Sequence, residues 1–165
     1  MGARADRTNG NVAVIRAFLA GGGDLVAAFN DDERARRIGA ALRAVAHPRF
    51  ELIDHDSPEF GAGPVPVEGF VPTWRRFLES WECLCLDDHE MHAIGNRVVV
   101  VSRVRGRSRH AGVPFEDRRA AIWTFRGDRV LRIDHYAKPH EALAAAGLLL
   151  TRPRPSRPRF APAVA

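Results

Sequence analysis

Residues 126–136 read Arg-Gly-Asp-Arg-Val-Leu-Arg-Ile-Asp-His-Tyr, and this segment gives the strongest indication of the fold. A Gly-Asp pair between two runs of strand-forming residues predicts a two-residue hairpin turn. The strand after the turn ends on side chains that can exchange protons, Asp134 and His135. Pro139 then favours the first turn of a helix, and Gly147 favours its C-terminal end.

The segments before this hairpin predict further strands and several helices. A second hairpin signal at residues 95–96 indicates, with the first, an antiparallel meander of four strands. Asn11 is expected to cap a first helix and Asn30 or Asp31 a second one. Aromatic and apolar residues recur at helical spacing over residues 70–81, which predicts a third helix. The predicted fold class is therefore α+β, a curved antiparallel sheet wrapped around N-terminal and central helices.

The chain is predicted to form one domain between two irregular ends. Residues 50–56 favour a short strand, and the Gly/Pro-rich residues 57–68 favour a surface loop. We expect residues 1–10 to be disordered and residues 11–150 to form the domain. The arginine- and proline-rich residues 151–165 are expected to be a disordered tail.

Composition narrows the class of protein. The chain has 165 residues, of which 45% are hydrophobic and 27% charged, as in soluble globular proteins. It contains no apolar run of about 20 residues that could cross a bilayer, and its N-terminus lacks a secretory signal. We therefore expect a cytoplasmic protein that does not contact membranes.

The charge of +5 does not by itself predict a nucleic-acid partner. Four arginines lie in the tail of residues 151–165, and without them the 25 basic residues become 21 against 20 acidic ones. The domain is therefore nearly neutral. Cys83 and Cys85 supply too few ligands for a structural zinc site, and residues 88–92 would alternate between the two faces of a strand. We expect neither a metal nor a cofactor.

The two hairpin turns predict which side chains share a face, unless a β-bulge shifts the pairing. Pairing about residues 127–128 gives one face that is small and apolar with a single titratable group, as in a pocket wall. The other face mixes aromatic and charged side chains, as in a subunit interface. The first face comprises Ala120, Ile122, Thr124, Leu131, Ile133 and His135. The second comprises Ala121, Trp123, Phe125, Val130, Arg132, Asp134 and Tyr136.

Pairing about residues 95–96 supplies the rest of the candidate site. It groups Met91, Ala93, Val98 and Val100 with His89 and Ser102. Two histidines, His135 and His89, are the candidates for acid–base chemistry, because the pKa of histidine lies near neutrality. The candidates for ligand contact are Trp74, Phe77, Ile122, Thr124, Ile133 and Ser102.

Four segments of the chain resemble the SnoaL-like domain, within the nuclear transport factor two-like and ketosteroid isomerase-like superfamily. They are Gly69 with Trp74 and Trp81, residues 95–100, residues 122–127 and residues 141–148. The resemblance covers residues 12–148 and implies a cone-shaped fold around a helix-lined cavity. It also implies a homodimer through the outer face of the sheet, here Trp123 and Phe125.

The same resemblance implies a set of functions. Members include polyketide cyclases, isomerases, dehydratases and noncatalytic binders, and the cyclases use an acidic residue on the last strand as a general base. His135 occupies the corresponding position here, and the tyrosine and neutral acid of ketosteroid isomerase are not carried over.

Two functions remain open at this point. The first is binding of an apolar, carbonyl-containing small molecule, with His135 as the base of a cofactor-free isomerisation or aldol cyclisation. The second is a noncatalytic module that uses the same cavity to bind a ligand or to assist a partner protein. A weaker third possibility is that the arginine-rich tail contacts acidic partners or nucleic acid.

Overall fold

The computed structural model describes residues 2–57, 61 and 63–148. The predicted tail of residues 151–165 lies outside this part of the chain. The helices are α1 (Gly2–Leu19), α2 (Leu25–Asn30), α3 (Asp32–Val45), α4 (Phe70–Leu78, preceded by a 3-10 turn over Val67–Gly69) and α5 (Pro139–Ala145). The strands are β1 (Ala46–Asp54), β2 (Trp81–Ile94), β3 (Arg97–Ser108), β4 (Pro114–Arg126) and β5 (Arg129–Tyr136).

The five strands form one sheet in the order β1-β5-β4-β3-β2. Strands β2 to β5 are the predicted antiparallel meander, and β1 adds to β5 in parallel. Gly95 and Gly127 adopt φ of 59° and 67° in the two tight turns, a conformation that costs glycine little. The prediction of an α+β fold with helices ahead of and behind the meander is confirmed.

Side-chain caps hold the N-terminal helices in place. Asp31 caps α3, as predicted, by accepting a hydrogen bond from the backbone N–H of Arg34 at 2.9 Å. Asp24 caps α2 and also accepts a hydrogen bond from the N–H of Leu84 at 3.0 Å, which ties this helix to β2. No described helix is long and apolar enough to cross a membrane.

Three predicted boundaries differ from the structure. Helix α1 begins at Gly2, within the segment 1–10 that we expected to be disordered, so Asn11 lies inside the helix and is only 6% exposed. The prediction that Asn11 caps this helix is therefore wrong. Strand β1 starts at Ala46, directly after α3, and Trp81 begins β2 because α4 ends at Leu78.

Both faces of the sheet are covered by apolar contacts. The main core lies between helices α1 to α4 and one face of the sheet, which contributes Val98, Val100, Trp123, Phe125 and Ile133. Helix α5 covers part of the opposite face, where Ala142 and Ala146 pack on Val99, Val101, Ala120 and Ile122. The central strands are thus apolar on both faces, as expected for strands buried on two sides.

The β4–β5 pairing corrects the predicted faces. Phe125 lies opposite Val130, as predicted, but the register then shifts, so that Thr124 lies opposite Arg132 and Leu131 is left as a bulge. Beyond the bulge, Ala121 rather than Ala120 is the partner of His135. The single extra residue reverses the face of β4 relative to the end of β5.

This shift moves the two predicted ligand contacts of β4 and its two predicted interface residues to the other side of the sheet. Trp123 and Phe125 are only 4% and 1% exposed and lie in the main core, so the prediction that they form an outer dimer interface is wrong. Ile122 packs against α5, and Thr124 lies opposite Arg132 in the β4–β5 pairing. The interior has room for the two large aromatic rings, whereas the face beneath α5 takes the smaller side chains.

Candidate functional site

A cavity of about 490 Å³ lies between the helices and the main-core face of the sheet. Its volume falls in the range typical of small-molecule sites, about 300–1,000 Å³. All three tryptophans of the chain, Trp74, Trp81 and Trp123, line it. The ring of Trp74 stacks on Phe29 at 5.8 Å between centroids and meets Phe77 edge-on at 5.7 Å. The wall is therefore largely aromatic.

The exposed members of the lining mark where the cavity opens. They lie at the end of α1 with Ala17, in the Gly21–Gly23 turn that follows, and on α3, where Arg34, Arg37 and Ala41 face solvent. The deeper members belong to α4 and the sheet, including the buried Leu84 and Val104. A ligand would thus enter between the first helices and reach the sheet.

His135 stands on the cavity wall with a carboxylate behind it. The parallel pairing of β1 and β5 sets Asp54 beside His135, and His135 Nδ1 lies 3.7 Å from Asp54 Oδ2. This distance exceeds that of a short hydrogen bond, so the contact is mainly electrostatic. The Asp54 side chain is 7% exposed and that of His135 is 22% exposed. The His135 ring also makes a T-shaped contact with Trp74, with 5.7 Å between centroids.

Asp54 stays ionised despite its burial. Burial alone would raise the pKa of its carboxyl. The interaction with His135 and the hydrogen bonds from the N–H groups of Asp56 and Ser57 lower the pKa by more than burial raises it, so the pKa lies below its ordinary value. A carboxylate with this pKa is charged at neutral pH. His135 therefore has a fixed negative charge beside Nδ1.

A second polar pair lies on the same wall. Strand β2 contains a bulge between Asp87 and Glu90, where Asp88 has φ of 48°, and this bulge sets His89 beside Ser102. His89 Nδ1 lies 2.8 Å from Ser102 Oγ. The sequence-based grouping of these two residues is confirmed, and both line the cavity.

His89 is expected to make the protein less stable in mild acid. Burial lowers the pKa of His89 below its ordinary value, although Asp87 and Asp88 act in the opposite sense. The unfolded chain therefore binds the extra proton first, and the free energy of unfolding falls as pH drops below about 6.5. Urea titrations from about pH 7 to about pH 5 should show a steeper loss for the wild type than for His89→Gln. Parallel pH profiles would contradict this assignment.

The remaining titratable residues near the end of β5 form a cluster of their own. Asp134 accepts hydrogen bonds from Arg132 and lies 2.9 Å from His55 Nε2. Asp134 is absent from the cavity wall, in agreement with the prediction that it faces away from His135. His55 stacks on Tyr136 at 4.5 Å between centroids. Tyr136, which we expected on the outer face, is the last residue of β5 and also borders the cavity.

The structure brings most of the predicted site residues together. The cavity is lined by His135, His89, Trp74, Phe77, Ile133 and Ser102. Ile122 and Thr124 are not part of the lining, because the Leu131 bulge puts them on the other face. Sequence reasoning missed Asp54 and Arg119, which also line the cavity. Within the described residues, no group of three or more His, Cys, Asp or Glu side chains could hold a metal ion.

Solved structures share this fold. An NTF2-like protein from Burkholderia xenovorans is 26% identical, with a TM-score of 0.59 over 84% of this chain and 95% of that one. A protein named as a SnoaL-like polyketide cyclase from a Jannaschia species is 16% identical, with a TM-score of 0.59 over 86% of this chain and 94% of that one. A Catenulispora acidiphila protein with a ketosteroid isomerase-like fold is 20% identical, with a TM-score of 0.52 over 75% of this chain and 89% of that one.

No protein-family profile matches the sequence, and no curated protein matches it. The structural likenesses nevertheless cover nearly the whole length of the proteins compared. The chain therefore has the NTF2-like fold, which proteins named as SnoaL-like and ketosteroid isomerase-like share, as the resemblance in its sequence predicted.

Proposed function

We propose that the chain binds an apolar, carbonyl-containing small molecule in its cavity and moves a proton on the carbon next to that carbonyl. One observation carries the proposal, namely an imidazole on an aromatic cavity wall with a buried, ionised carboxylate beside it. His135 is the proposed base, and Asp54 is the residue that positions it. No cofactor is needed for this step.

The chemistry follows from the two nitrogens of the imidazole. A negative charge beside Nδ1 favours the tautomer with its proton on Nδ1, which makes Nε2 the proton acceptor. His135 Nε2 takes a proton from the carbon next to the carbonyl, and the electron pair of the broken C–H bond forms an enolate. The carboxylate of Asp54 then stabilises the resulting imidazolium.

The enolate has two productive outcomes within the same cavity. Return of the proton to a different carbon gives an isomerisation. Attack of the enolate carbon on a second carbonyl of the same molecule gives an aldol cyclisation, and the proton passes from His135 to the new alkoxide. Both reactions conserve protons and electrons, so neither requires an oxidant or a reductant.

Two further observations support a ligand of this class. The aromatic wall and the volume of about 490 Å³ suit a molecule of one to a few rings. The Jannaschia protein, which shares the fold over 86% of this chain, is named as a polyketide cyclase.

Deuterium exchange into a simple ketone tests the proposal without knowledge of the natural substrate. β-Tetralone is an apolar bicyclic ketone with acidic protons next to its carbonyl, and proton NMR in D₂O follows their loss. We expect the wild-type protein to speed this loss well above the buffer rate at the same pH. Saturable binding without faster exchange would support the noncatalytic alternative and would contradict the proposed proton transfer.

A further inference from the structure

Arg119 is a second functional group on the wall of the cavity. It lies opposite Ser102 in the β3–β4 pairing, and paired residues of antiparallel strands project to the same face. Both residues line the cavity. The guanidinium carbon of Arg119 lies 5.7 Å from the centre of the Phe115 ring, four residues earlier on the same strand, which indicates a cation–π contact.

Arg119 differs from its neighbours because none of the described acidic residues pairs with it. Arg103 pairs with Glu116 at 2.7 Å, and Arg118 pairs with Glu90 at 2.6 Å, both on the exposed side of the sheet. Among the residues that the structure describes, no carboxylate lies within ion-pairing distance of Arg119, and its buried Nε–H has no hydrogen-bond acceptor.

The described lining of the cavity carries more arginines than acids. Among the described residues, the lining contains three arginines, Arg34, Arg37 and Arg119, and one acid, Asp54. Arg37 pairs with Glu33, and Asp54 pairs with His135, so Arg34 and Arg119 are the lining cations for which the described residues offer no acidic partner. The lowered pKa of His89 favours a neutral imidazole beside Ser102, so this pair adds no second cation next to Arg119. A buried guanidinium N–H without an acceptor is costly, and a carboxylate can satisfy it with two parallel hydrogen bonds.

We propose that Arg119 binds a carboxylate carried by the otherwise apolar ligand of this cavity. This inference rests on the proposed function for the location of the ligand and extends it to a substrate class, an apolar ring ketone that also bears a carboxylic acid. The aromatic wall receives the ring system, and Arg119 fixes its orientation relative to His135. Arg34, exposed at the opening, adds a positive charge on the entry path of such an anion.

Two ligands of matched shape test this assignment. Naphthoate carries a carboxylate, and acetonaphthone replaces it by a neutral methyl ketone. We expect calorimetry to show that the wild-type protein binds naphthoate about 10-fold to 100-fold more tightly than acetonaphthone. Arg119→Met should remove this preference and change the affinity for acetonaphthone less than about threefold.

Arg118→Met is the matched control. Arg118 is the neighbouring residue on the same strand, but it pairs with Glu90 and does not line the cavity. This variant should keep the preference for naphthoate. If Arg119→Met does not fold, as judged by circular dichroism, Arg119→Gln takes its place, and the wild-type comparison of the two ligands remains decisive.

The outcomes separate this inference from the proposed function. Equal affinities of the wild type for the two ligands, no measurable binding of naphthoate, or a preference that persists without Arg119 would overturn the carboxylate site. Tight, Arg119-dependent binding of naphthoate together with no deuterium exchange into β-tetralone would keep the carboxylate site and reject the proton transfer.

Discussion

Replacement of His135 by glutamine is expected to slow deuterium exchange into β-tetralone by about 100-fold to 10,000-fold. This range is the usual contribution of a positioned general base. Glutamine keeps a polar side chain of similar size on the wall beside Trp74, but it cannot accept a proton at neutral pH. The affinity for the ketone should change little, because most of the wall is aromatic and stays in place.

Two further variants show whether the loss is specific. Asp54→Asn should also slow exchange, since it removes the charge beside Nδ1 and leaves the hydrogen bonds from Asp56 and Ser57 possible. His92→Gln is the matched control, because His92 is an exposed histidine of β2 outside the cavity. An unchanged exchange rate in His135→Gln, with the ketone still bound, would show that another group moves the proton.

Truncation of Phe125 to alanine is expected to destabilise the fold by about 3–5 kcal/mol, as is usual for loss of a fully buried aromatic ring. Phe125 is 1% exposed and contributes to the core beneath the helices. Urea unfolding of the variant and the wild type measures the difference. Val113→Ala serves as the surface control, since Val113 is 58% exposed and its truncation should change stability by less than about 0.5 kcal/mol.

The same variant separates the two assignments of the β4 faces. If Phe125 lay on an outer subunit interface, its truncation would weaken self-association and leave the stability of the folded monomer nearly unchanged. Sedimentation measured alongside the urea titration distinguishes these results. Loss of association without loss of monomer stability would contradict the bulge at Leu131 that sets the register of β4 against β5.

Much of the fold was predictable because its turns have a strong local signature. The glycines at 95 and 127 fix two hairpins, and the pairing about residues 95–96 correctly grouped His89 with Ser102. The helical spacing of apolar residues over 70–81 also predicted α4 correctly, except that the helix ends at Leu78. These features depend on neighbours within a few residues, which the sequence displays directly.

The errors in the predicted faces of the sheet have a common physical cause in the β4 strand. Ile122 and Trp123 are both apolar and both buried, because α5 covers one face of the sheet and the other helices cover the opposite face. Alternation of polar and apolar residues therefore could not choose between the faces. The bulge at Leu131 has no signature in the turn that precedes it, and it reversed the assignment.

The missed site residues depend on contacts that are distant in sequence. Asp54 lies beside His135 because β1 pairs with β5 in parallel, and a parallel pair has no hairpin turn that would predict it from the sequence. In the sequence, the adjacent Arg118 and Arg119 resemble the solvent-exposed end of a strand. The pairing of Arg119 with Ser102, which puts both residues on the cavity face, is not visible in the sequence. The sequence thus predicted the histidines of the site but not the charged residues that act with them.

A ligand in the cavity is expected to contact His135, and the histidine ring signals in NMR report this contact. The chain has seven histidines, so a sample with isotope-labelled histidine gives a small set of signals that single substitutions can assign. Titration with β-tetralone should shift the signals of His135 and His89 and leave those of His92 and His110, which lie outside the cavity, in place. Binding that shifts the signals of His92 or His110 while those of His135 stay unchanged would show that the ketone binds outside this cavity.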